Sequence, residues 1–143
     1  MEEGPRAAEP FEMAVELGKV REFARAVKWS DAGYLTGSEP LAPPTFLTVA
    51  RHWQDERHSV WGQRNFGRIL HGEQEFVFHG EPPRAGDRLM GQMRIDRTYE
   101  KAGRRGGTMK FIEVVTEFRD PSGRLVAESR GTVIETGRAA SDT

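Results

Sequence analysis

The sequence predicts an α+β domain in which an antiparallel sheet is wrapped around one long central helix. The first half of the chain repeats apolar residues at helical spacing. The second half alternates them at strand spacing between short, turn-rich connections. Connections this short favour antiparallel neighbours, and a sheet with one apolar face needs a helix to cover it.

Val20, Phe23, Ala24 and Val27 fall at i, i+3, i+4 and i+7, one face of a first helix. Phe46, Val49, Ala50 and Trp53 repeat that spacing after Pro43-Pro44, where proline is tolerated because a first-turn N–H has no partner to lose. This second helix is expected to run to about Arg57. Residues 58–69 carry two glycines and no clear period, so they read as a loop holding Trp61 and Phe66. Residues 70–79 place Gly72, Gln74, Phe76 and Phe78 on one parity and His71, Glu73, Glu75 and Val77 on the other. Three further strands follow, over about residues 88–101, 109–118 and 124–135. They are separated by AGRRGG (102–107), where glycine supplies the positive φ of a hairpin turn, and by DPSG (120–123).

A chain of 143 residues forms one domain and buries roughly 70% of its unfolded surface. Residues 1–10 and 137–143 read as flexible termini around a single domain over 11–136. The net charge of −1 provides no field for nucleic acid or an anionic membrane. No apolar run reaches the ~20 residues that span a bilayer. The absence of cysteine excludes disulfides, thiolate metal sites and thiol nucleophiles. The acidic N-terminus lacks an apolar secretory segment, so the expected location is the cytoplasm.

The segments REFARAV (21–27), LAPPTF (41–46), LHGEQEFVFH (70–79) and PPRAGD (82–87), with the final hairpin strands, carry a family resemblance. In this order the chain resembles the MaoC-like dehydratases, which are R-specific enoyl-thioester hydratases of the hot dog fold. It is most similar to their N-terminal or non-catalytic half. The resemblance implies a short first strand at about residues 11–16 and a substrate carried on coenzyme A or acyl carrier protein. It implies no cofactor. Catalytic members hold an Asp and, five residues later, a His on the loop before the central helix. Here Trp29 and Tyr34 occupy those positions. The indole of tryptophan has no pKa that lets it act as acid or base near neutral pH, and tyrosine, with a pKa near ~10, is a poor base.

No catalytic residue is therefore expected in this chain. The resemblance implies a tunnel-forming subunit whose Asp and His come from a catalytic hot dog partner, in a heterodimer or heterotetramer. Substrate-binding candidates are Trp29, Tyr34, Thr45, Phe46, Trp53, Trp61 and His71. Thr45 stands out because free N–H groups at a helix start favour a thioester oxygen that gains charge. Arg104 and Arg105 are candidates for a coenzyme A phosphate or an acidic carrier protein, with a solvated hairpin tip as the plainer reading. Two alternatives stay open: a homodimeric thioesterase or hydratase using His71 and Glu73, and an acyl-thioester-binding module without chemistry. His52, Glu56 and His58 lack a recognised metal spacing, so no metal is expected.

Overall fold

The four strands expected from the alternation and the first strand implied by the resemblance are present. β1 (Phe11–Ala14), β2 (Ile69–Phe78), β3 (Arg88–Ala102), β4 (Thr108–Arg119) and β5 (Leu125–Glu135) form one antiparallel sheet ordered β1-β3-β4-β5-β2. The computed structural model describes residues 6–61, 64–104 and 107–137. Among the described residues no helix is long and apolar enough to cross a membrane. The β3–β4 turn closes through Gly107 at φ +82° and a Gly103 N–H bond to the Gly107 carbonyl at 2.9 Å. A side chain rarely adopts that conformation, which is why glycine stands there.

Composition assigns residues 6–10 to a flexible terminus, but the structure ties them to the sheet. Ala7 bridges Arg94, and the buried Ala8 donates its N–H to the Met93 carbonyl at 2.8 Å. Backbone pairing of this kind leaves no trace in composition.

Two clusters form the core on the inner face of the sheet. The larger gathers Met13, Val15, Val20, Phe46, Leu47, Leu89, Phe118 and Ala127. The smaller gathers Ala8, Val60, Ile95, Ile112 and Val114, with Trp61 and Met93 against it. Helix α1 (Leu17–Ala26) buries Val20 and Ala24 as expected, while Val27 lies past its end and is exposed.

The central helix differs from expectation. It is a 3-10 helix over Phe46–His52, followed by a separate 3-10 turn over Glu56–His58. With three residues per turn, positions three apart eclipse. Phe46 stacks above Val49, and Leu47 above Ala50 and Trp53, so two columns face the core. This accounts for the burial of Leu47, which an α-helical spacing omits. The segment stops because the Asp55 carboxylate accepts the Arg57 N–H at 2.9 Å, offering the backbone an alternative to the helix ladder.

Lys28 sets the path out of α1. It sits at φ 57°, the left-handed region, without being glycine. Its N–H bonds to the Arg25 carbonyl at 3.0 Å, and the Trp29 N–H bonds to the Ala24 carbonyl at 2.8 Å. These two bonds make a Schellman cap, a position where glycine is usual. A β-carbon costs about 1–2 kcal/mol there. Lys28→Gly is therefore expected to stabilise the domain by about 0.5–1 kcal/mol, raising Tm by about 2–4 °C in a calorimetric scan.

Candidate functional site

The Schellman cap delivers Trp29 to the start of a short second helix, α2 (Ala32–Thr36). Asp31 caps that helix, its Oδ1 accepting the Gly33 N–H at 2.8 Å. The Arg21 guanidinium ties the helix end back to α1 by donating to the Gly37 carbonyl at 3.2 Å. The result is a Trp29–Tyr34 pair in edge-to-face contact, with centroids 6.1 Å apart and planes at 86°. Trp29 remains 44% exposed, whereas Tyr34 packs onto the larger core cluster beside Phe23, Trp53, Phe76 and Phe78. Burial, then the neighbouring Asp31 charge, raise the Tyr34 pKa above its usual value of 10.0. The phenol is thus protonated at neutral pH and serves as a hydrogen-bond donor or an apolar wall.

Phe46, a member of the cluster onto which Tyr34 packs, is fully buried and edge-to-face with Phe23 at 5.6 Å. Thr45 is exposed, and its side chain caps nothing. The helix it precedes has only 7 residues, so few peptide dipoles align behind it and the expected field is weak. The aromatic candidates do not share one surface. Trp53 joins the larger cluster, whereas Trp61 joins the smaller and carries the Arg64 guanidinium over its ring at 6.0 Å. Arg104 is exposed at the hairpin tip; Arg105 lies outside the described residues.

His71 and Glu73 do not form a pair. The β2–β5 register shifts between them, His71 opposing Val133 and Glu73 opposing Thr132. The bulge puts them on opposite faces of the sheet. His71 contacts the Gln74 Oε1 at 3.2 Å, and Gln74 donates to the Ser129 hydroxyl at 2.8 Å, all on the inner face of the edge strand. Gly72, at the bulge, is the sequence signal that marks it. His52, Glu56 and His58 do not converge either; among the described residues no group of three or more His, Cys, Asp or Glu side chains is placed to hold a metal ion.

A polar pair absent from the sequence reading lies at the far end of β2. His79 Nε2 is 2.8 Å from an oxygen of Glu128, a carboxylate only 7% exposed, and Arg130 donates to the same group at 3.1 Å. The residues are 49 apart, and only the β2–β5 register brings them together. The His79 hydrogen bond, then Arg130, hold the Glu128 carboxyl below its usual 4.5 against the opposing effect of burial. A carboxyl depressed in the folded state contributes stability that is present above its unfolded value and lost as pH falls through the folded value. Thermal melts over about pH 3 to 7 are expected to show Tm falling below about pH 4.5, with a shallower fall in Glu128→Gln.

Known proteins place this architecture in a family. The family model for the FAS1-like dehydratase domain region matches residues 4–129. A UPF0336 protein of Saccharopolyspora erythraea is 32% identical over 142 residues, covering 88% of this chain and 85% of the relative. Among solved structures, the C-terminally truncated HadBC (3R-hydroxyacyl-ACP dehydratase) complex from Mycobacterium tuberculosis matches at 28% identity and TM-score 0.72. The match covers 91% of this chain and 95% of that one. A MaoC-like dehydratase matches at 26% identity and TM-score 0.70, covering 92% of this chain but 41% of the larger protein. The five-stranded antiparallel sheet around a central helical segment is the hot dog fold of these structures. The chain belongs to the FAS1-like dehydratase domain family, within the MaoC-like hot dog proteins.

Proposed function

We propose that this chain is a non-catalytic, acyl-binding subunit of a heteromeric R-specific enoyl-thioester hydratase or 3-hydroxyacyl-thioester dehydratase. The Trp29–Tyr34 pair carries this reading. It fills the two loop positions where the resemblance expects the acid and the base, and neither ring accepts a proton at neutral pH. Asp31, between them, is spent on capping α2. What the loop offers instead is a half-exposed indole over an aromatic core, a surface suited to an acyl chain rather than to proton transfer. The likeness to a chain of the HadBC complex supports a hot dog partner, which supplies the Asp and His. The substrate is an acyl group on coenzyme A or acyl carrier protein, and the complex works in the cytoplasm.

A self-sufficient enzyme built on His71 and Glu73 has less support, because the Gly72 bulge separates the two groups. The test is reconstitution. The chain is purified alone and together with a MaoC-like partner that carries Asp and, five residues later, His before its central helix. Hydration of a trans-2-enoyl thioester is followed in both samples. Turnover in the joint sample alone is expected; comparable turnover by the lone chain overturns the proposal.

A further inference from the structure

The inner face of the edge strand β2 changes character along its length. From its C-terminal end it reads Phe78, Phe76, Gln74 and His71. Phe78 and Phe76 lie with Tyr34 and Trp53 against the larger core cluster, the aromatic surface suited to an acyl chain. Gln74 follows two residues, about 7 Å, further along the strand, and there the surface turns polar.

The bulge builds this polar end. In a regular strand, residues three apart point to opposite faces. The extra residue at Gly72 brings His71 back to the face that carries Gln74. A glycine on the neighbouring strand makes room for both: a β-carbon at Gly131 would lie 3.3 Å from Gln74 Oε1 and 3.8 Å from His71 Nε2. Gln74 is then fixed by its nitrogen. Nε2 donates to the Ser129 hydroxyl at 2.8 Å and to the Arg130 carbonyl at 3.1 Å. A carbonyl only accepts, so the amide has one orientation. Its oxygen faces His71 Nε2, 3.2 Å away, and that nitrogen must carry the proton of the neutral imidazole. Two capacities are left over. His71 Nδ1 keeps a lone pair, and the Ser129 hydroxyl, having accepted from Gln74, keeps a proton to donate.

We infer that this polar end is a hydroxyl-recognition site, and that the acyl group bound here carries an alcohol in its distal part. The inference rests on the acyl-binding reading of this subunit and names its substrate class. An alcohol both donates and accepts, so it answers His71 Nδ1 and the Ser129 hydroxyl together. A ketone only accepts and satisfies Ser129 alone. A plain alkyl chain displaces water from both groups and gives them no partner, the situation in which a hydrogen-bonding site discriminates most strongly. His71 and Gln74 are exposed in the single chain, so a partner that covers them sharpens the discrimination.

Calorimetric titration of the full chain, alone and with the MaoC-like partner, tests the inference. The ligands are dodecanoyl-coenzyme A and derivatives with one hydroxyl or one ketone at successive distal carbons. At least one hydroxylated chain is expected to bind about tenfold or more tightly than the plain chain, with the matching ketone between them. His71→Ala and Ser129→Ala are each expected to shrink that preference to within about threefold. Circular dichroism melts identify a variant that fails to fold, and the other variant then carries the test. Equal binding of all three kinds of chain by the wild type overturns the inference and leaves the proposed function standing. Binding of none overturns both. A hydroxyl preference that survives both substitutions overturns the assignment to His71 and Ser129. So does a loss of affinity for every chain alike, as a residue serving only a subunit contact would give.

Discussion

Phe46→Ala is expected to cost about 3–5 kcal/mol of stability. Phe46 is fully buried at the start of the 3-10 helix that covers the inner face of the sheet. Its truncation removes transfer energy and leaves a cavity between the helix and the strands, because the surroundings relax only in part. It also removes the edge-to-face contact with Phe23, a further fraction of about 0.5–1.5 kcal/mol within that total. Against a typical total stability of about 5–15 kcal/mol, the loss leaves a marginal protein. Phe46→Leu keeps most of the volume and should cost less than half as much. Urea midpoints for the two variants measure the difference. Equal midpoints would mean that the central segment does not anchor the core.

The strands were legible in the sequence because two signals agree there. Alternation marks β4, with Ile112, Val114 and Phe118 buried, and the Asp120–Gly123 turn follows at once. The central helix was half legible. Positions 46, 49, 50 and 53 suit a 3.6-residue repeat and a 3-residue repeat equally well over two turns, so periodicity alone does not separate them. What decides is Asp55, whose side chain competes with the backbone. The bulge between His71 and Glu73 was announced by Gly72, yet a bare H-x-E spacing assumes a regular pleat and puts both residues on one face. The His79–Glu128 contact had no local signal, since it depends on which residue of β2 lies across from β5. The candidate site was legible only through the resemblance. Its geometry rests on Lys28 in a left-handed conformation, and lysine gives no warning of that.

Reconstitution with a catalytic partner is expected to raise hydration of an enoyl thioester by at least about a thousandfold over the lone chain. The magnitude comes from the chemistry the loop lacks. A positioned acid or base contributes about 10²–10⁴ in rate, provided its pKa lies near the working pH. The Tyr34 phenol has the wrong pKa for that work and is moved further away by burial and by Asp31. The Trp29 indole has no pKa usable for proton transfer. The partner's His would therefore govern the pH dependence, and the profile of the complex should follow an imidazole rather than a phenol. Trp29→Ala in the complex separates binding from chemistry. The indole is exposed and reaches no proton in flight, so its loss should raise KM for a long-chain substrate while kcat stays within about twofold. Burying an aromatic side chain against an acyl chain contributes about 1.5–3 kcal/mol, which sets the KM change at about ten- to a hundredfold. A fall in kcat with KM unchanged would instead put Trp29 in the transition state, and the division of labour between the two subunits would have to be redrawn.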